Sequence, residues 1–189
     1  MMNHTKITTK QLGVSAVLLS LAVVSNFIAP ITLPYGGTLS FCTMLFICLV
    51  GYLFGVRLGV IAGVAFGLLD LVLAGFVFHP IQVLLDYPIA FGLLGIIGLF
   101  RNYKFGLFVG YIVAVAARYV IAVISGVVFF GSFAPEGTPV LWYSITYNAS
   151  YIVPEMILSL VIISVPAVRK ALLKVQVSLL EPNQNQVEG

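Results

Sequence analysis

Charged residues are scarce in this sequence. Only 8% of its 189 residues are Asp, Glu, Lys or Arg, whereas 61% are hydrophobic and the mean hydropathy is +1.14. An ordinary soluble domain is about 25% charged and about 45–50% apolar, and a soluble fold of this size cannot hide so much apolar surface. The composition therefore excludes a water-soluble protein and a disordered one, and it predicts a polytopic membrane protein.

Residues and motifs of common catalytic chemistry are also few. Cys42 and Cys48 lie in one apolar segment and form neither a disulfide framework nor a metal-binding spacing. The sequence holds no Gly-x4-Gly-Lys-Ser/Thr loop, no His-Glu-x2-His and no Gly-x-Ser-x-Gly, which argues against P-loop ATP hydrolysis and against an enzyme. We therefore expect no metal and no cofactor. The net charge of +3 indicates membrane orientation rather than nucleic-acid binding.

Six apolar segments approach the ~20 helical residues that a bilayer core about 30 Å thick requires. They are apolar all round, which favours helices over the alternating strands of a barrel. We predict an all-α membrane protein of six transmembrane helices, with one domain over residues 1–175 and a polar, frayed tail over residues 176–189. The predicted spans are 11–29, 40–55, 57–76, 80–100, 104–131 and 140–166.

The basic residues predict the orientation of these spans. With six spans, all Lys and Arg outside the helices fall on one side: Lys6, Lys10, Arg57, Arg101, Lys104, Arg169, Lys170 and Lys174. The opposite loops hold only Glu136 and the marginal His79. Since basic loops stay on the cytoplasmic side, we predict that both termini are cytoplasmic.

Four ionisable residues lie within predicted spans, where each needs a partner or a purpose. Helical rise places Arg118 and Glu155 at a common depth of about 20 Å. We predict a structural ion pair between them, with a role in binding or coupling as the alternative. Asp70 and Asp86 share a shallower level, about 9 Å below the outer boundary. We expect Asp70 to hydrogen-bond a neighbouring helix and Asp86 to contact a cationic ligand.

Aromatic and amide side chains accompany Asp86 at the outer level. Tyr143, Tyr147 and Tyr151 recur at four-residue intervals and therefore share one helix face. A membrane-buried amide such as Asn148 requires hydrogen bonds. Because planar cations are held by aromatic faces plus a carboxylate, this cluster predicts a ligand of that class.

Three other outer residues have simpler interpretations. We expect Trp142 and Phe133 to belong to an interfacial aromatic belt, which needs no ligand. His79, directly before Pro80, is expected to end a loop rather than to carry chemistry.

Three stretches carry a resemblance to a known family. They are FHPIQVLLDYPIAF at 78–91, SGVVFFG followed by APEG at 125–137, and YSITYNASY at 143–151 with Pro154-Glu155 after it. Together they resemble the YuaJ family, the thiamine-binding substrate-capture (S) subunits of energy-coupling factor transporters. The resemblance implies six helices, a thiamine site near the outer face, and docking on a shared transmembrane coupling subunit driven by two cytoplasmic ATPases.

The resemblance also implies a set of binding residues. Asp86 falls where the family places an acid against the aminopyrimidine of thiamine, and Phe130 falls where some members have a stacking tryptophan. One position departs from the family, because Ala122 stands where a histidine often follows Arg118 by four residues. This departure leaves the exact ligand open. The implied substrate-binding residues are Asp86, Tyr87, Phe130, Tyr143, Asn148 and, in the first outer loop, Tyr35.

The first span carries a candidate docking surface. Ala16 and Ser20 are four residues apart, and Gly13 extends the same smooth patch. Small residues let helices approach closely in lipid, and the resemblance implies docking on the coupling subunit here. The alternative is ordinary packing within the six-helix bundle.

The sequence thus predicts a multi-pass membrane protein, and the resemblance implies that it captures thiamine at a bacterial cell membrane for ATP-driven uptake by a shared coupling module. Two alternatives remain open. One is an S subunit for a related thiamine precursor. The other is a stand-alone proton-coupled thiamine carrier, with Asp70, Asp86 and Glu155 as a proton relay.

Overall fold

The computed structural model describes residues 7–28, 31–32 and 38–180. This part of the chain is helical apart from its connections and one short ladder in which Ile31–Thr32 (β1) pairs antiparallel with Thr38–Leu39 (β2). The helices are α1 Thr9–Ile28, α2 Thr43–Phe54, α3 Val56–Ala74, α4 Pro80–Phe100, α5 Gly106–Phe129, α6 Val140–Ser164 and α7 Pro166–Leu180.

The six predicted spans correspond to α1–α6. Five of these helices are long and apolar enough to cross a membrane, and α2 is shorter. At about 1.5 Å per residue, the 12 residues of α2 reach only about 18 Å. The predicted start of this helix at residue 40 is wrong, because residues 40–42 enter the bundle as irregular chain and the helix begins at Thr43. Such backbone is tolerated at membrane depth only where protein surrounds it, and Ser40 and Cys42 are buried.

A line of glycines brings α3 against α4. Gly59, Gly63 and Gly67 recur every four residues on the buried side of α3. A Cβ at Gly63 would collide with the backbone carbonyl of Phe91, and one at Gly67 with that of Tyr87. The two backbones are thus in direct contact, as small residues permit in lipid. We call Gly59, Gly63 and Gly67 the glycine seam.

Helix α4 is irregular where it carries the residues of interest. Its segment Leu85–Ile89 is π-helical and contains Asp86 and Pro88, and Leu93–Phe100 is 3₁₀-helical. Pro88 lacks the N–H that would continue the α-helical ladder, and widened turns of this kind are frequent at functional sites. The local sequence therefore distorts the helix at Asp86.

Glu155 does not pair with Arg118, so the predicted ion pair is wrong. One oxygen of the Glu155 carboxylate accepts a hydrogen bond from the backbone N–H of Met44 and the other from the Ser40 hydroxyl, both at 2.7 Å. Glu155 is 3% exposed. Helical rise sets the depth of a side chain but not its direction around the axis, and Glu155 points to the start of α2. It satisfies donors that the helix leaves free at its N-terminus.

The connections rich in basic residues gather at one end of the bundle, as the orientation requires. The Arg101 guanidinium lies beside Gly55 of the α2–α3 turn, and the Arg169 guanidinium lies 5.9 Å from the Phe108 ring centre. At the opposite end, the His79 ring stacks on Phe129, with 5.1 Å between ring centres. The assignment of this basic end to the cytoplasm stays a prediction.

The C-terminal helix α7 extends past the predicted start of the polar tail. It runs to Leu180, whereas the tail was expected from residue 176. Residues 181–189 lie outside the described part of the chain.

Candidate functional site

A cavity of about 510 Å³ opens among α3, α4, α5 and α6 toward the end opposite the basic turns. Its polar lining comes from Asp70, Gln82, Asp86, Arg118, Ser144 and Asn148. Its aromatic lining comes from Phe76, Tyr87, Phe91, Phe130, Phe133, Tyr143, Tyr147 and Tyr151. A mostly apolar cleft with a few convergent polar groups is the usual form of a small-molecule site.

Asp86 is held in place by its neighbour one helical turn earlier. The side-chain amide of Gln82 donates a hydrogen bond to Asp86 Oδ2 at 2.7 Å. Gln82 is 1% exposed, whereas Asp86 is only partly buried and lines the cavity. Oδ2 is therefore engaged by Gln82, and the buried Ser125 hydroxyl of α5 is a second hydrogen-bonding group beside the Asp86 carboxylate.

Four phenylalanines cluster at the outer end of the cavity. Phe76 and Phe78, in the α3–α4 connection, lie with their ring centres 6.1 and 6.0 Å from that of Phe130. The Phe133 ring lies 5.9 Å from Phe130. The Tyr87 hydroxyl accepts a hydrogen bond from the Phe76 N–H at 2.6 Å. This contact ties the loop to α4, so that aromatic surface covers the cavity beside Asp86.

Arg118 is a wall of the cavity rather than half of an ion pair. Its guanidinium lies 4.1 Å from the centre of the Phe91 ring, a cation–π contact. The charged groups of the lining are therefore the carboxylates of Asp70 and Asp86 and the guanidinium of Arg118. The formal charge of the lining is therefore −1, and a monovalent cation would balance it.

Asp70 behaves as predicted, and it also lines the cavity. Its Oδ1 accepts a hydrogen bond from the Asn26 amide of α1 at 2.7 Å. This contact joins α1 to the outer part of α3. His79 likewise ends a loop as predicted, since it is the N-cap of α4 and its ring Nδ1 accepts from the Ile81 N–H.

Asn148 lines the cavity, and most of its amide is already bonded to the protein. Its Nδ2 donates to the Ser144 carbonyl at 2.9 Å, and its Oδ1 accepts from the Tyr151 hydroxyl at 2.6 Å. The same Nδ2 lies 3.4 Å from the Ala122 carbonyl of α5. The amide thus joins α6 to α5 at the cavity wall, and it orients the Tyr151 ring.

Five of the substrate-binding residues predicted from the sequence line this one cavity: Asp86, Tyr87, Phe130, Tyr143 and Asn148. Tyr35 lies outside the described residues. Tyr143, Tyr147 and Tyr151 share a face as predicted, with successive ring centres 5.9 and 5.8 Å apart.

Two further outer aromatics were predicted to form an interfacial belt, and the structure separates them. Trp142 is 62% exposed and does not line the cavity. Phe133 is 53% exposed, as expected of a belt residue, but it also lines the cavity. The 3₁₀ turn Gly131–Phe133 brings the ring back over the end of α5.

Sequence reasoning missed Gln82, Phe76 and Phe91. A signal existed for Gln82, because it precedes Asp86 by four residues and such pairs face each other on a helix. Phe91 could have been found only through its contact with Arg118, which the sequence does not reveal.

The proposed docking residues lie on an exposed face of α1. Gly13, Ala16 and Ser20 are all exposed, and apart from the adjoining backbone of α1 no atom of the described residues lies within 4 Å of a Cβ placed on Gly13. The Ser20 hydroxyl bonds to the Ala16 carbonyl of its own helix at 2.9 Å. These side chains do not pack within the bundle, so that alternative is wrong for this face.

Comparison with known proteins identifies one family that resembles this chain in sequence and in fold. A family model described as Thiamine transporter protein (Thia_YuaJ) matches residues 12–175. The chain is 37% identical over 178 residues to the thiamine transporter ThiT of Bacillus subtilis, covering 86% of this chain and 92% of that protein. It is 37% identical over 121 residues to ThiT of Lacticaseibacillus paracasei, covering 55% and 60%. A solved structure of ThiT from Listeria monocytogenes has the same fold, with a TM-score of 0.73 at 24% identity over 92% of this chain and 98% of that one.

Proposed function

The chain belongs to the Thia_YuaJ family of thiamine transporter proteins, and we propose that it captures thiamine at the outer face of a bacterial membrane for an ATP-driven importer. The observation that carries this proposal is the cavity that joins Asp86 to aromatic walls. Its volume of about 510 Å³ lies within the range of about 300–1,000 Å³ common for small-molecule sites.

The charge of the cavity suits thiamine. The thiazolium ring carries one permanent positive charge, which balances the formal −1 of Asp70, Asp86 and Arg118. A buried ligand charge is costly unless it is paired, so this balance favours a cation over a neutral or anionic ligand. Aromatic faces add attraction to a desolvated cation.

The two rings of thiamine call for different contacts. We propose that Asp86 pairs with the aminopyrimidine, whose amino group donates a hydrogen bond to a carboxylate oxygen. Phe130 and Tyr143 would cover the rings. Asn148 acts in part through Tyr151, because its Nδ2 and one lone pair of its Oδ1 are already bonded to the protein. Ala122 lines the cavity without a stacking side chain, so the ring contacts come from the aromatic residues of the lining.

Energy for uptake would come from partners. The sequence has no P-loop, so ATP-driven release into the cell would use two cytoplasmic ATPases acting through a transmembrane coupling subunit. We propose that this subunit docks on the face of α1 formed by Gly13, Ala16 and Ser20. The exposure of that face and its small side chains support the proposal.

Calorimetry on the purified full-length chain tests the ligand. We expect one thiamine site, and we expect Asp86→Asn to weaken binding by about 1.5–3 kcal/mol, the contribution of a hydrogen bond to a charged group. Glu136→Gln is the matched control, because Glu136 is an exposed outer acid that does not line the cavity. Undetectable thiamine binding, or equal binding by both variants, would remove this assignment.

The two alternatives predict different results. A site for a pyrimidine precursor would bind that neutral compound as tightly as thiamine, leaving the lining charge unbalanced. A proton-coupled carrier would take up thiamine without ATPase partners, so no ATPases would co-purify with it. The position of Glu155 argues against the proton relay that such a carrier needs. Glu155 lies outside the cavity, and its two oxygens accept hydrogen bonds from Ser40 and Met44.

A further inference from the structure

Gln82 is a buried side chain in which both ends of the amide are engaged. Its Oε1 accepts from the backbone N–H of Phe78 at 3.1 Å and of His79 at 3.5 Å. Its Nε2 donates to the Phe76 carbonyl at 3.3 Å and to Asp86 Oδ2 at 2.7 Å. A glutamine amide has two acceptor lone pairs and two donor hydrogens, so every one of them has a partner.

These partners fix the direction of the amide. The oxygen faces two N–H groups and the nitrogen faces two oxygens, so a rotated amide would oppose like groups at four places. A buried polar group left unpaired is costly, and Gln82 is 1% exposed. Position 82 therefore always presents a donor to residue 86.

We propose that Gln82 is a positioning residue that determines ligand specificity, because its donor fixes which hydrogen-bonding group residue 86 turns toward the cavity. The inference rests on the proposed function, in which Asp86 pairs with the aminopyrimidine. With aspartate at position 86, one oxygen bonds to Gln82 and the other accepts the ligand's amino group. Gln82 also holds the loop that carries Phe76, so the carboxylate and the aromatic cover are set by one side chain.

The direction of the Gln82 amide matters most when the side chain at position 86 has an acceptor at one end and a donor at the other. In Asp86→Asn, the amide must turn its oxygen to Gln82, which leaves its NH2 toward the ligand. A donor then faces the amino group of thiamine. The same donor suits oxythiamine, in which a carbonyl oxygen replaces that amino group. Adding Gln82→Glu supplies an acceptor at position 82, so the amide at position 86 turns its oxygen back to the cavity.

The test measures the ratio of the dissociation constants for oxythiamine and thiamine in full-length protein by calorimetry. Wild type should prefer thiamine, Asp86→Asn should lower the ratio at least about tenfold, and the double variant Gln82→Glu with Asp86→Asn should raise it again. Gln82→Met, which removes the Gln82 hydrogen bond from the carboxylate, should weaken thiamine binding about tenfold or more. Gln11→Met is the control, because Gln11 lies on α1 away from the cavity.

The outcomes separate the two proposals. If wild type does not bind thiamine, the proposed function is wrong and the role of Gln82 falls with it. If wild type binds thiamine but the double variant keeps the ratio of Asp86→Asn, Gln82 does not set the polarity of residue 86. The ratio is a property of folded, binding protein, so a variant that merely loses stability cannot imitate the predicted reversal.

Discussion

Two helix faces in this protein carry small residues at close helical spacing, and they lie in opposite environments. The glycine seam of α3 (Gly59, Gly63 and Gly67) is buried against the backbone of α4. The small-residue face of α1 (Gly13, Ala16 and Ser20) is exposed. The same sequence pattern therefore serves internal packing on one helix and leaves a free surface on the other.

The difference lies in what opposes each face. In the seam, a Cβ at Gly59 would lie 2.9 Å from Gly95 Cα and clash with Gly51 Cα, so even one methyl group is excluded. Among residues 9–27 of α1, only Ser15 and Ala22 are buried. In lipid, apolar exposure costs little and only close packing or hydrogen bonding joins helices. A small-residue pattern thus marks a face able to pack closely, and the three-dimensional structure decides whether its partner lies within the chain.

The largest effect on the folded protein is expected for Gly63→Leu. The obstacle is the Phe91 carbonyl, which cannot rotate away as a side chain would, so the variant should lose at least about 3 kcal/mol of stability. Gly13→Leu is the matched control and should stay within about 0.5 kcal/mol. Thermal unfolding of both in detergent measures the contrast. Equal melting temperatures would show that the seam is not the tighter contact.

The next effect concerns α2, which packs between α1 and α3. Glu155→Ala removes the acceptor for Ser40 and Met44 and should cost about 3 kcal/mol. Glu155→Gln can still accept from the Met44 N–H and donate to the Ser40 hydroxyl, so it should cost about 1 kcal/mol. Chemical unfolding compares them. A glutamine variant as unstable as the alanine variant would indicate that the charge matters through another partner.

A smaller effect is expected where α1 is attached. Asn26→Ala removes the hydrogen bond to Asp70 and should cost about 1 kcal/mol. Ser20→Ala removes only a bond within α1, and it should change stability by less. Hydrogen exchange of the outer half of α1 provides the measurement, with faster exchange expected only for Asn26→Ala. Unchanged exchange in both variants would mean that Asp70 does not hold α1.

The smallest effect on the isolated protein, and the sharpest separation of the two faces, is expected for Ala16→Trp. The side chain points away from the bundle, so stability should stay within about 0.5 kcal/mol and thiamine binding should be unchanged. Uptake by cells should be lost, because a bulky group would hold a docking partner apart. Uptake at the wild-type rate at matched expression would show that the small-residue face is not the dock.

Side-chain contacts were harder to predict than helices. Tyr143, Tyr147 and Tyr151 were placed on one face by their spacing alone, because rotation per residue in a helix is fixed. Arg118 and Glu155 were paired by the same arithmetic and do not meet. Spacing relates residues within one helix, whereas a pair on two helices also depends on how each is rotated in the bundle.

The amino-acid sequence by itself determined that the chain is a membrane protein. It also located the ends of the spans to within a few residues and identified the outer residues that are candidates for binding a cationic aromatic ligand. These follow from composition, helical length and spacing, which are local properties. Only the tertiary structure decided that Gln82 engages Asp86 and the Phe76 loop together, that Glu155 serves the start of α2, and that one small-residue pattern is buried while the other is exposed. The physical reason is that these depend on which helix faces which, and contacts among α2, α3 and α4 at backbone distance fix that arrangement for the whole bundle.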